Sequence, residues 1–532
     1  MAFRENSNQQ LSFTDTLWGL TEREKKALEK SWARTFAEEI FPNIDETRFS
    51  VLYSNKASRP NTPINVIVGA LVIKELFDYS DDEMVENLML DPRLQYALHT
   101  TSYKEQPLSD KTLSRFRKRC YDYEALYNID LYHDCIKDLS TSIRKLMQIS
   151  GRIRRMDSMM IESNIRKLSR IELLYTCLSK FAISVQKMDE NFLPDNLKHY
   201  ADPNDFNQVM YHQRGSEADD RLDIILKDID QILNLCTEDH RSLQSYELLV
   251  RCLSEQTILE DGIRKLCTKK DGGLDSSVMQ NPSDPDATFR TKAGKEHRGY
   301  TANLEESVDS NGSVITDYQY DVNTRSDSDF LKENIEFQEK AEETKILVAD
   351  GAYYSDENVE LAKEKNIDLL TTNLTGVPTP DIFADFKFSN DGKEVISCPA
   401  GHKPRTCCYR NSNSKCYISF PVDLCKNCPH KKDCNPHFHK QTASLNISRK
   451  GRNRAVCQRR MKEADYANVY RLRNGVETVP SNLRRNYHLE KLPRGKIRSK
   501  FFFGSKIAAL NFKKLFNYKK GQIKCAPNAL FA

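Results

Sequence analysis

The hydrophobic pattern first separates a helical region from a strand-containing one. Residues 1–150 carry apolar positions at helical spacing, and Thr21 followed by Glu24 forms a capping-box pattern that predicts a helix start. Ser109 begins a further helix, which is basic. Residues 1–150 are therefore predicted to form a helical N-terminal domain.

A short apolar strand, Ile153–Asp157, follows that domain. Residues 165–271 then return to helical spacing and a mildly acidic composition, which favours a helical insertion. Beyond a loop, two strands flank the turn Asp309–Gly312, as in a hairpin. A helix at Phe330–Thr344, a strand, a second helix and a last strand complete the pattern.

These elements predict an α/β fold with parallel and antiparallel neighbours in one sheet. The core would consist of residues 151–164 and 272–376. Residues 377–448 form a cysteine-rich insertion, and residues 449–520 form a basic C-terminal part of the core.

Length and composition limit the possible classes of protein. A chain of 532 residues is long enough for two to four domains, and 39% hydrophobic residues suit a globular core. No apolar run reaches membrane-spanning length, and the first residues lack a signal-peptide pattern. We therefore expect no membrane partner and a cytoplasmic location.

The net charge of +4 conceals an asymmetry along the chain. Residues 449–520 hold 21 Lys and Arg against 4 Asp and Glu, whereas the rest of the chain holds 59 against 72. Aromatic and aliphatic residues interleave the basic ones, which is typical of a folded segment. A basic folded segment on an otherwise acidic protein indicates a polyanionic partner, most simply DNA. A solvated basic surface is the alternative.

Two aspartates follow apolar strand residues of the predicted sheet, and they are candidate metal ligands. Asp157 ends the first strand, and Asp350 follows Ile346–Ala349 and precedes Gly351. Adjacent strand ends would bring the two carboxylates together, where they repel unless a divalent cation lies between them. Oxygen ligands favour Mg²⁺ or Mn²⁺. Helix capping by Asp157 and turn closure by Asp350 are the alternatives.

A third acid is expected on a basic helix beside a nucleic-acid substrate. Glu477 is the candidate, because Tyr470, Arg473 and Arg484 share roughly one 60° sector of a helix with it. Pro480 should break or kink that helix, which weakens the placement of Arg484. Pairing of Glu477 with Arg473 on a helix surface is the alternative.

Seven of the fifteen cysteines lie between Cys398 and Cys434. Cys425 and Cys428 form a Cys-x2-Cys unit, and with Cys398 and Cys434 they could close a tetrahedral Zn²⁺ site. Nearby histidines are alternative ligands. Reduced cysteines without a metal, or an iron–sulfur cluster, are the other possibilities.

At these positions the chain resembles the DDE-type insertion-sequence transposases, which have a ribonuclease H-like core. The resemblance spans most of residues 50–515 and depends on several segments in the family's order. They are Arg59-Pro60, Leu113–Arg117, Arg155–Asn164, Pro282–Ala287 before Gly294–Tyr300, Leu347–Ser355, and Tyr470-x2-Arg473-x3-Glu477-x6-Arg484. The last resembles the Tyr-Arg-Glu-Lys signature, with Arg484 in place of the usual Lys.

The resemblance implies a DNA transposase of a bacterial insertion sequence, nucleoid-associated and oligomeric on DNA. Asp157, Asp350 and Glu477 would hold two Mg²⁺ ions for DNA cleavage and strand transfer. The residues expected to contact DNA are Tyr470, Arg473, Arg484, His297, Arg298, Arg115 and Arg117. A nuclease that does not transpose, or a domesticated DNA-binding protein, are the rival functions. A helical packing domain is the alternative for the N-terminal region.

Overall fold

The computed structural model describes residues 1–6, 15–54, 56, 59–211, 217–260, 262–271, 275–292, 294–371, 379–463, 466, 469, 475 and 478–521. No described helix is both long enough and apolar enough to span a lipid bilayer.

The N-terminal region is helical, as predicted. Thr21 and Glu24 cap each other's backbone amides at the first helix, and the Ser109 hydroxyl accepts from the amide of Thr112. The helices are α1 Glu22–Glu29, α2 Trp32–Thr35, α3 Ile64–Phe77, α4 Asp81–Leu90, α5 Pro92–Ala97, α6 Asp110–Tyr127 and α7 Leu131–Leu146. The first strand, β1 Ile153–Glu162, follows them.

The next region packs around a hydrophobic core of its own, which contains Leu174, Phe181 and Ile229. It is mainly helical, and a two-stranded antiparallel hairpin ends it. Its elements are α8 Arg170–Met188, α9 Asp205–Tyr211, α10 Glu217–Leu235, α11 Glu238–Arg241, α12 Gln244–Gln256, β2 Thr257–Glu260 and β3 Ile263–Leu266.

The central sheet has six described strands in the order β4-β5-β1-β7-β8, with β6 also paired to β5. Its later strands are β4 Thr288–Lys292, β5 Lys295–Asp309, β6 Gly312–Val322, β7 Lys345–Ala349 and β8 Ile367–Thr371. Strand β1 runs antiparallel to β5 and parallel to β7, and β7 runs parallel to β8. The predicted mixed sheet of a ribonuclease H-like core is thus confirmed.

Two predicted elements had wrong bounds. Strand β1 continues five residues past Asp157, because it remains paired with β5 as far as Glu162. The helix predicted at Phe330–Thr344 is α13, Asp327–Glu336. Ser326 caps it at an earlier position, and residues 339–344 offer no apolar side chain larger than Ala to bury.

Helices cover both faces of the sheet. Helices α13 and α14 (Asp356–Glu364) lie on the face of Met156 and Leu347. The C-terminal part adds a small module and three helices. These elements are β9 Lys387–Phe388, β10 Val395–Ser397, β11 Thr406–Arg410, β12 Lys415–Pro421, α15 Val422–Lys426, α16 Lys431–Cys434, β13 His437–Phe438, β14 Thr442–Ile447, α17 Arg449–Lys462, α18 Thr478–Asn486 and α19 Lys496–Lys519.

Helix α19 joins the N-terminal helices to the sheet in one hydrophobic core. Phe501 stacks on Tyr132 of α7 with ring centroids 3.7 Å apart. The Phe503 ring packs against the rings of Tyr318 and Tyr320 of β6, with centroid distances of 5.5 and 5.6 Å. The last described helix therefore completes a core that begins with the first helices of the chain.

A buried charge network connects α19 to the same face of the sheet. Glu306 of β5 is fully buried, with its carboxylate 2.5 Å from Arg155 of β1 and 2.6 Å from Lys514 of α19. Burial alone would raise the pKa of Glu306, but the charges of Lys514 and Arg155 lower it to about 2. The carboxylate is therefore ionised inside the core.

Candidate active site

Asp157 and Asp350 follow the last residue pair of the parallel β1–β7 ladder. That pair is Arg155 and Val348, and each aspartate comes two residues later in its own segment. Residues two apart in extended backbone share a face, and neighbouring strands lie about 4.8 Å apart. The backbone at Asp350 is still extended, with φ −70° and ψ 159°. The register thus brings the two partly buried carboxylates side by side.

Each carboxylate also accepts a hydrogen bond from the backbone. Asp157 accepts from the amide of Ser158 at 2.9 Å. Asp350 accepts from the amide of Gly351 and caps the short 3₁₀ turn Gly351–Tyr353. Asp350 therefore does close the turn at Gly351, and this hydrogen bond orients its carboxylate. Asp157 lies within a strand and caps no helix.

Tyr353 lies behind the two aspartates and is completely buried. Its hydroxyl donates to the Asn303 side-chain oxygen at 2.7 Å. Burial raises the pKa of Tyr353 well above its usual value, and the charges of Asp327, Asp157 and Asp350 raise it further. Tyr353 occurs in the sequence motif after Asp350, but its pairing with Asn303 has no local sequence signal.

Three predicted site residues, Tyr470, Arg473 and Glu477, lie outside the described residues. Two described neighbours of this segment contact the strands of the aspartates. Val469 packs against Val348 and Leu370 in a small buried cluster. A Cβ atom at Gly475 would lie 2.4 Å from Nη1 of Arg155, so a larger residue would displace that buried guanidinium. The chain on either side of residues 470–474 therefore touches β1 and β7.

Arg484 lies on α18, which is described from Thr478 to Asn486 and contains Pro480 as its third described residue. The Arg484 guanidinium donates to the carbonyl of Met160 at 3.2 Å. It thus contacts β1 three residues beyond Asp157.

His297 and Arg298 lie at the far end of β1, beside Glu162. The His297 ring is 2.5 Å from the Glu162 carboxylate, and the Arg298 amide donates to the same carboxylate at 3.1 Å. The Arg298 guanidinium also stacks over Phe289 at 4.9 Å. Glu162 is exposed, so its two partners, His297 and Arg298, lie close to the surface of the protein.

The two N-terminal arginines differ in exposure. Arg115 is exposed on α6. Arg117 is only 8% exposed, forms an ion pair with Asp81 and stacks over Phe502 at 5.1 Å. The Arg117 guanidinium is therefore bound to groups of the protein itself, and this conflicts with the DNA contact predicted for it. A basic helix pattern cannot reveal such an internal partner.

The four cysteines predicted as zinc ligands, Cys398, Cys425, Cys428 and Cys434, line one small cavity. Burial raises the pKa of Cys434 to about 12, and the neighbouring thiols of Cys428, Cys398 and Cys425 contribute to that rise. Within the described parts of the chain, no three His, Cys, Asp or Glu side chains are already arranged to hold a metal ion. Four thiols around one cavity are nevertheless the donor set of a structural zinc site.

Two family matches cover separate parts of the chain. Residues 25–119 match a transposase domain designated DUF772, and residues 397–516 match the transposase DDE domain. The second match includes the four cysteines and Glu477, whereas Asp157 and Asp350 lie outside both. No curated protein matches the chain significantly.

Among solved structures, the chain is similar to the piggyBac transposase in a cryo-EM synaptic complex with hairpin DNA. The identity is 9%, the alignment covers 95% of this chain and 79% of that one, and the TM-score is 0.28. That score is too low for comparing individual elements. The two domain matches, together with the mixed sheet, support a DDE-type transposase.

Proposed function

We propose that the protein is the DNA transposase of a bacterial insertion sequence, which cleaves the element ends and joins them to target DNA. The observation that carries the proposal is the position of Asp157 and Asp350, each two residues beyond the last pair of the β1–β7 ladder. Gly475, two residues before Glu477 in sequence, contacts Arg155 of β1. A third carboxylate close to the first two would complete a two-metal site.

In this proposal Asp157, Asp350 and Glu477 hold two Mg²⁺ or Mn²⁺ ions. Such ions, when bound, activate the attacking oxygen and stabilise the leaving oxygen of an in-line phosphoryl transfer. The protein's part is to fix its ligands. Gly351 and Ser158 orient the aspartates through their amides, and buried Tyr353 supports the sheet behind them.

Tyrosine and basic side chains would hold the DNA. Tyr470, Arg473 and Arg484 are proposed to bind the DNA strand next to the scissile phosphate. The contact of Arg484 with Met160 of β1 supports this role for Arg484, because it places the guanidinium near Asp157. His297, Arg298 and Arg115 are assigned weaker contacts farther along the duplex. The enzyme is expected to act as a homo-oligomer on DNA, because two element ends must be brought together.

The proposal is tested by incubating the purified protein with DNA carrying both element ends, a target plasmid and Mg²⁺. We expect cleavage at the ends followed by covalent joining to the plasmid, and no reaction in EDTA. Cleavage without joining would indicate a nuclease that does not transpose. Binding without cleavage would indicate a domesticated DNA-binding protein.

The cysteine cavity is proposed to hold one structural Zn²⁺. Protein purified without chelator should contain about one zinc per chain by elemental analysis, because four thiolates fill a tetrahedral site. Cys428→Ser should lose most of that zinc and lower the thermal stability of the module. Cys408→Ser is the matched control, since Cys408 is exposed and does not line the cavity. Iron instead of zinc, or no metal in the wild type, would contradict the assignment.

A further inference from the structure

Strands β11 and β12 form a hairpin at one edge of the four-stranded sheet β11-β12-β14-β13 in the cysteine-rich module. Five residue pairs join them, from Thr406 opposite Ser419 to Arg410 opposite Lys415. The tip, residues 411–414, consists of Asn-Ser-Asn-Ser and is fully exposed. The hairpin therefore presents hydrogen-bonding groups at its end.

The hairpin and the residues that lead into β11 carry only positive charge. Residues 395–422 contain no Asp or Glu. They contain four Lys and Arg residues, all exposed: Lys403, Arg405, Arg410 and Lys415. None of the four has an ion-pair partner among the residues that the structure describes.

Nearby helix α17 provides a contrast. It is also rich in Lys and Arg, yet several of its cations are neutralised by carboxylates of the protein. These pairs are Arg449 with Glu360, Arg459 with Asp385, Arg460 with Asp368 and Lys462 with Asp381. The basic residues of α17 are thus partly neutralised by the protein itself, whereas no described carboxylate neutralises those of the hairpin.

The hairpin is held in shape by its own side chains. The Arg410 guanidinium lies 4.1 Å from the ring centroid of Tyr417, and the Asn413 amide donates to the Tyr417 hydroxyl at 2.8 Å. On the opposite face, Ile418 and Phe420 are buried in the core of the module. The backbone that carries the cations is therefore ordered at the edge of a sheet, so binding a ligand costs little backbone ordering entropy.

We propose that this basic hairpin is a docking element for the sugar–phosphate backbone of double-stranded DNA. Strand β11 is the edge of the sheet, and exposed Lys, Arg, Asn and Ser side chains such as those around it are the usual donors to DNA phosphates. The proposal rests on the proposed function, which makes DNA the partner. In this proposal the hairpin binds and orients the DNA, whereas the aspartates carry out the cleavage chemistry.

The test compares two variants of equal charge change in the full-length protein. The hairpin variant carries Lys403→Gln, Arg405→Gln, Arg410→Gln and Lys415→Gln. The control variant removes four exposed cations elsewhere, by Lys26→Gln, Lys30→Gln, Lys145→Gln and Lys187→Gln. Equilibrium binding to an element-end duplex is measured over a range of salt concentrations, and zinc content and thermal midpoint report the integrity of the fold.

We expect the hairpin variant to bind more weakly and the control variant to bind nearly as the wild type does. The slope of log K against log salt should fall by about 0.9 for each DNA phosphate that the hairpin variant no longer neutralises. Equal slopes for both variants, with a wild type that binds and cleaves DNA, would overturn the hairpin assignment alone. A wild type that neither binds nor cleaves DNA would overturn the proposed function as well.

Discussion

Asp157→Asn and Asp350→Asn are each expected to abolish Mg²⁺-dependent cleavage of element-end DNA while the protein remains folded and bound to DNA. An amide retains the size of the side chain but loses the charge that binds the metal. A metal ion contributes several kcal/mol to such a transition state, so the rate should fall by about a thousandfold or more. Gel-based cleavage assays at fixed enzyme concentration measure the loss.

A matched control separates this effect from a general loss of charge. Glu364→Gln removes an exposed carboxylate at the end of α14, the helix that follows Asp350. It should leave cleavage unchanged, and all three variants should bind the same duplex with similar affinity. If either aspartate variant cleaved DNA at the wild-type rate, the catalytic role proposed for that aspartate would be wrong.

Glu306→Gln is expected to destabilise the core by about 3–5 kcal/mol, because it removes the buried carboxylate that pairs with both Arg155 and Lys514. The two cations would then face each other across a neutral amide. Urea unfolding followed by tryptophan fluorescence and circular dichroism should show a lower midpoint. Lys118→Gln breaks the exposed pair with Asp122 and should cost less than about 1 kcal/mol.

The Glu306 carboxylate should also make the free energy of unfolding depend on pH. The folded pKa of Glu306, about 2, lies below its ordinary value of 4.5. Its contribution is therefore complete above pH 4.5 and is lost as the pH falls towards 2. The difference in unfolding midpoint between wild type and Glu306→Gln should be constant near neutrality and shrink in that acidic window. A constant difference down to about pH 2.5 would contradict the role of the charge.

Several features of the fold and of the site were predictable because their signals are local. Apolar runs that end in a carboxylate marked Asp157 and Asp350, and capping residues marked Thr21 and Ser109. The length of β1 was not predictable, since it depends on pairing with β5, which lies more than 130 residues later.

The partners of buried charges also have no local signal. Arg117 belongs to a basic helix that suggests DNA binding, yet its partner Asp81 is 36 residues away. Glu306 and Lys514 are separated by 208 residues. Sequence spacing reports which residues share a helix face or a strand, but tertiary packing decides which of the charges remain available to a ligand.

The position of α19 also affects how the chain can fold during synthesis. Lys506 of this helix forms a buried ion pair with Glu75 of α3, 431 residues earlier. The N-terminal helices therefore leave the ribosome without the partner that fills their core, and their apolar surface stays exposed until translation reaches α19. A nascent chain that stops before α19 is therefore expected to keep that apolar surface exposed to proteases and chaperones.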